Sequence, residues 1–129
     1  MQLVVNGSAA WVSCMLLITE ELGETPDVTA ADIGRILSTD SFGKFAVLSA
    51  SESTFIQTGN EWQPSPECDA FLKEHRSDPW VLEYRDGGSG KQYRAKRQLT
   101  LEQVRTAFLS YLAGRNNWLQ AYGWQELNL

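Results

Sequence analysis

Residues 80–112 read WVLEYRDGGSGKQYRAKRQLTLEQVRTAFLSYL, and their pattern changes once, from period two to helical spacing. Trp80, Leu82 and Tyr84 fall on one face of a strand, and Val81, Glu83 and Arg85 on the other. Asp86-Gly87-Gly88-Ser89-Gly90 consists of turn-formers, and Gln92–Arg97 is extended again, so the segment predicts a β-hairpin. At Thr100 the grammar changes. Thr100 is an N-cap with Gln103 three residues on, and Leu99 is placed to staple onto Val104. Leu101, Val104, Phe108, Tyr111 and Leu112 then recur at helical spacing until Gly114 stops the helix. A hairpin followed by an amphipathic helix places the chain in the α+β class.

Outward from this stretch the same signals return. Lys44–Ser49 and Ser53–Thr58 read as two strands around a Ser-rich turn. Thr29 caps a helix to Leu37, with Asp32 three residues on and Ile33, Ile36 and Leu37 on one apolar face. The span Asn60–Pro79 holds three of the four prolines and reads mainly as loop, with a helical turn over Asp69–His75. Leu3-Val4-Val5 reads as a short strand. The apolar run from Ala9 admits two readings, a helix through Leu22 that ends at Gly23, or a buried strand Trp11–Ile18. The helix formers Met15, Leu16, Leu17, Glu20, Glu21 and Leu22 favour the helix. The tail is a short helix through Trp118 and Tyr122, broken at Gly123 before Trp124-Gln125-Glu126-Leu127. The expectation is one domain over residues 1–129, an antiparallel sheet of four to five strands with helices packed on one face.

Composition sets the function classes. The 129 residues are 43% hydrophobic and 21% charged, a globular profile that excludes a disordered, collagen-like or coiled-coil chain. The net charge of -5 argues against a general nucleic-acid or anionic-membrane binder. It is unevenly spread: residues 1–75 carry 11 acids and three bases, residues 76–129 eight bases and five acids. The apolar run Ala9–Ile18 is half the length of a membrane span, which needs about 20 residues. The first basic residue is Arg35, so the run lacks the positive flank of a secretory signal. Cys14 and Cys68 read as reduced thiols, and the expected compartment is the cytoplasm.

Chemistry-bearing patterns are sparse. Gly87-Gly88-Ser89-Gly90-Lys91 looks like a phosphate loop, but Arg85 stands where the first glycine belongs and Gln92 where Ser or Thr belongs. His75 is the only histidine, and no cysteine lies at metal-ligand spacing from it. No catalytic residue, cofactor or metal is assigned. Lys91, Arg94, Lys96 and Arg97, with Arg85, Tyr84 and Tyr93, resemble a single-strand nucleic-acid surface. Alternation splits the bases between two faces, so a charged sheet edge that resists aggregation is the favoured reading and nucleic-acid binding is not expected. The closing aromatics Trp118, Tyr122 and Trp124 read as packing onto the long helix. Trp62, in a Pro-rich loop, reads either as core or as a partner anchor.

Thr100-Leu101-Glu102-Gln103, Ala107-Phe108, Tyr111 and the closing Trp124-Gln125-Glu126-Leu127 resemble the C-terminal part of small bacterial immunity proteins that neutralise polymorphic toxins, deaminase toxins among them. Phe45–Gln57 with Trp80–Tyr93 is similar to small uncharacterised bacterial proteins, so the likeness covers the C-terminal two-thirds. It implies an α+β fold and a toxin domain as partner, and it carries no catalytic residues. A toxin that handles nucleic acid is basic, and acids would steer it in. The candidate partner-binding residues are Glu20, Glu21, Glu24, Asp27, Glu61, Trp62, Glu67 and Asp69. The alternative is a small-molecule-binding module or enzyme, with a pocket between the sheet and the 101–113 helix lined by Tyr84, Tyr93 and Arg94. A homo-oligomer paired through an open sheet edge is a third possibility.

Overall fold

The computed structural model describes residues 15–88 and 90–128. Among them seven strands form one antiparallel sheet: β1 (Leu16–Thr19), β2 (Gly23–Thr25), β3 (Phe45–Ser51), β4 (Thr54–Asn60), β5 (Trp80–Asp86), β6 (Lys91–Ala95) and β7 (Trp124–Leu127). Their spatial order is β2-β1-β3-β4-β5-β6-β7. Helix α1 (Ala30–Ile36) joins β2 to β3, and α2 (Pro66–His75) joins β4 to β5. Helices α3 (Leu101–Leu112) and α4 (Asn117–Gln120) lie between β6 and β7.

The α+β class is as expected, but the sheet has seven strands rather than four or five. One of the additional strands, β1, falls where a helix was favoured, and β2 starts at the glycine expected to end that helix. Leu17 pairs with Leu48 and Ile18 with Val47, so β1 is an inner strand. Leu17 and Thr19 are buried in the core while Leu16 and Ile18 are half-buried on the other face. Tertiary pairing thus outweighs the helical propensity of residues 15–22. The Thr19 hydroxyl accepts from the Leu22 N–H at 3.0 Å, and Gly23, at φ +68°, turns the chain into β2. The strand expected at Leu3-Val4-Val5, and the part of the apolar run before Met15, lie outside the described residues.

The third addition, β7, pairs with β6 from Gln92↔Leu127 to Ala95↔Trp124. The basic strand is therefore second from the edge, not the guarded edge expected, and Lys96 and Arg97 follow it rather than belong to it.

The expected caps are made. Thr29 and Asp32 bond each other reciprocally at the start of α1, as do Thr100 and Gln103 at α3. The Thr29 backbone N–H, with its hydroxyl and Arg35 adding to it, holds the Asp32 carboxyl below the usual carboxylate range. Helix α2 is longer than the turn expected over Asp69–His75. Ser65 caps it by accepting from the Cys68 N–H at 3.1 Å, and Pro66 occupies its first turn, where no N–H is needed.

The core lies on one side of the sheet. Ile33 and Ile36 of α1, Val104, Ala107, Phe108 and Leu112 of α3, and Trp118 of α4 pack with Leu17, Leu48, Ile56, Trp80 and Leu82. Phe42, in a 3-10 turn ahead of β3, packs against Trp80 with the rings tilted and their centroids 5.4 Å apart. Gly43 follows at φ +111°, and a Cβ there would stand 2.6 Å from the Glu20 Cβ. Gly43→Ala is expected to cost roughly 2 kcal/mol or more, from backbone strain plus the clash. Urea unfolding measures it, and a loss below half that value would contradict the local geometry.

Candidate functional site

Strand alternation gives the sheet a second face, away from the helices. Val47, Gln57, Glu83, Arg94 and Gln125 run across it in register from β3 to β7. Its centre is polar and closed. Glu83, only 6% exposed, accepts from Gln57 Nε2 at 2.8 Å and Gln92 Nε2 at 2.9 Å. Arg94 adds Nε at 2.7 Å and Nη2 at 2.6 Å. Four donors from β4 and β6 therefore saturate one carboxylate of β5. Arg94 then reaches Glu61, whose carboxylate is 3.7 Å from Nη1 and accepts from Gln98 Nε2 at 3.0 Å. One guanidinium is shared by two carboxylates.

Glu61 begins the loop after β4, and that loop is tied down along its length. The Glu61 N–H donates to the Pro79 carbonyl at 2.9 Å. The Trp62 N–H donates to Asn60 Oδ1 at 2.7 Å, and Asn60 Nδ2 donates to Asp78 at 2.8 Å. Buried Cys68 places its thiol 3.7 Å from the Glu61 carbonyl. The Trp62 indole thus stands out from a fixed backbone. Beside it lies an open hollow of about 620 Å³, lined by Asn60, Glu61, Trp62, Gln63, Glu67 and Gln98 among others, and none of its lining residues is basic.

The register places this loop. Phe45 opposes Gly59, and Asn60 opposes Trp80, so β3 and β5 begin where β4 ends. Thr19 opposes Ala46, so β1 also ends there. The four exposed large apolar side chains among the described residues, Leu22, Phe45, Trp62 and Leu72, are 36% to 55% exposed. Leu22 is in the turn after β1, Phe45 starts β3, Trp62 follows β4, and Leu72 lies on α2 between β4 and β5. All four therefore belong to one end of the sheet. Glu20, Glu21, Glu61, Glu67 and Asp69 belong to the same segments. Glu20 and Glu61 follow strands two spacings apart, about 10 Å of sheet. No family model matches the chain, and neither does any curated protein or solved structure.

The candidate acids are thus partly brought together. Glu24 sits on edge strand β2, and Asp27 lies in the turn leading to Val28, whose N–H bonds Met15 at the start of β1. Glu24 opposes Ile18, one residue in from the same end but three strand spacings from β4, and Asp27 stands toward the other end. Glu83 was not among the candidate residues. Counting back from the hairpin turn places Glu83 opposite Arg94, and that cross-strand pair of opposite charge was the available signal.

Tyr84, Tyr93 and Arg94 do not line one pocket. Tyr84 and Tyr93 point toward the helices, and Arg94, adjacent on β6, points to the opposite face. The space beside Tyr84 holds other rings: Tyr93 at 5.0 Å, Trp118 at 5.0 Å and Trp124 at 4.8 Å, with Tyr111 5.4 Å from Trp118. Burial pushes the Tyr84 and Tyr111 hydroxyls above the usual phenol value. Trp124 Nε1 donates to the Leu119 carbonyl at 2.8 Å, which ties β7 to the end of α4.

Three residues of the basic cluster are engaged within the fold. Arg94 holds two carboxylates, Lys91 is 3.7 Å from Glu126, and the Arg97 guanidinium lies 5.3 Å from the Tyr122 ring centroid. The glycine-rich loop is a hairpin turn, with the Gly90 N–H on the Asp86 carbonyl at 2.9 Å. His75 lies against Phe71, with centroids 4.4 Å apart, and 3.7 Å from Glu74. Among the described residues no three His, Cys, Asp or Glu stand close enough to share a metal ion, and no helix is long and apolar enough to cross a membrane.

Proposed function

We propose that this protein is a non-enzymatic binding module that holds a basic protein domain against one end of its sheet, in the role of an immunity protein bound to its toxin. The observation that carries it is the coincidence at that end of the exposed apolar side chains with Glu20, Glu21, Glu61, Glu67 and Asp69. Acids attract a basic partner over distance and set its orientation. Apolar side chains, Trp above all, supply the buried contacts that hold it. The partner is a toxin domain that handles nucleic acid, and the meeting place is the cytoplasm, where the Cys68 thiol stays reduced.

Coexpression tests the role. A toxin domain encoded immediately upstream, at the end of a large secreted protein, is expected to lose its toxicity when this chain is made with it. Growth arrest that persists beside well-expressed protein would sink the proposal. The surface is tested by charge reversal. Glu20→Lys, Glu21→Lys and Glu67→Lys together are expected to slow association about tenfold at low salt and to flatten its salt dependence. Glu52→Lys, in the turn at the opposite end of the sheet, is expected to change the rate less than about twofold. Equal effects at the two ends would overturn the placement of the surface.

A further inference from the structure

We propose that the hollow beside Trp62 takes an arginine side chain of the partner, its guanidinium laid on the indole face and hydrogen-bonded by the carboxylates of Glu61 and Glu67. The proposal rests on the docking role above and names the group recognised there. Three features of the hollow point to this ligand.

Its lining includes one tryptophan and two glutamates, and no basic residue lines it. A guanidinium suits both wall types at once, because it is planar, stacks on indole and forks onto carboxylate oxygens. The hollow is also short of positive charge. Arg94 is committed to buried Glu83 at 2.6 Å and reaches Glu61 only at 3.7 Å, so the group Glu83–Arg94–Glu61 keeps one net negative charge. Glu67, in the first turn of α2, adds a second carboxylate that makes no ion pair among the described residues. Finally, the receptor is already set. The hydrogen bonds of Asn60, Glu61 and Trp62 fix the loop, so little freedom is lost when the indole is covered.

The probe is a short peptide, Gly-Arg-Gly with blocked ends, beside its citrulline and lysine counterparts. The readout is the indole N–H signal of Trp62 in a 15N–1H correlation spectrum of the full chain, assigned with Trp62→Phe. The arginine peptide is expected to shift that signal saturably, with a dissociation constant in the millimolar range proper to one exposed side-chain contact. Lysine should bind several-fold more weakly, and citrulline, planar but uncharged, should leave the signal in place. Glu67→Gln should weaken the arginine peptide about threefold or more while the remaining signals stay where they are. An indole signal that does not move, that moves equally with citrulline, or that is indifferent to Glu67→Gln overturns the proposal. The two proposals fail separately. If the toxin is neutralised but the arginine peptide does not bind, the hollow is wrong and the docking role stands. If the peptide binds but the toxin is not neutralised, the docking role is wrong and the hollow stands.

Discussion

Trp80→Ala is expected to lower the unfolding free energy by about 4 kcal/mol, the range for removing a large aromatic side chain from a closed core. Trp80 is 1% exposed and the largest fully buried side chain among the described residues. Its ring packs on Phe42, and its backbone exchanges two hydrogen bonds of 2.9 Å with Leu99, so the surroundings are pinned and cannot collapse into the space left behind. At roughly 3 °C per kcal/mol for a domain of this size, the melting temperature should fall by about 12 °C. The effect should also reach the loop that carries Trp62. Asn60 is the register partner of Trp80, and its side chain holds the Trp62 N–H. The variant should therefore broaden the Trp62 indole signal at temperatures where the protein is still folded. A melting temperature within about 3 °C of the parent would mean that Trp80 is not closed in.

Glu83→Ala is the second large effect, expected at about 3 kcal/mol. The loss comes less from the interaction removed than from the groups left behind. One buried amide, Gln92, one half-buried amide, Gln57, and a guanidinium lose their acceptor together. The Arg94 side chain is 44% exposed, so water relieves part of its loss and holds the figure below that of a fully enclosed pair. The double variant Glu83→Leu with Arg94→Met should cost less than Glu83→Ala alone, because no buried charge is stranded. Urea midpoints at constant slope would measure these two variants and the single changes Glu83→Leu and Arg94→Met. A double variant as damaging as the sum of the two single changes would show that Glu83 and Arg94 act independently.

The parts of the fold legible in the sequence are those fixed by neighbours along the chain. The hairpin declares itself through the alternation Trp80, Leu82, Tyr84 and its glycine turn, and α1 and α3 through the caps at Thr29 and Thr100. Strand β1 hid because Leu16, Leu17 and Ile18 are all apolar. One face of the strand meets the core and the other is half-covered, so no alternation appears. Strand β7 hid because four residues after a glycine say little until β6 is there to pair with them. The signal for α2 was present but unread: Ser65 followed by Pro66 is a helix start. Of the candidate site, Trp62, Glu61 and Glu67 were legible as residue types in a loop. That they share a hollow, and that Leu22 and Phe45 stand at the same end of the sheet, depends on register between strands remote in the chain.

From β3 onward each strand lies beside the one made before it, and β7 comes last. A chain leaving the ribosome can therefore lay its sheet down in order, and for a time β6 is the growing margin. Lys91 and Arg94 stand on that margin until β7 covers it. Positive charge discourages two unfinished chains from pairing there. In the finished fold β6 is an inner strand, so a protective role for its charge would be confined to the interval before β7 is made.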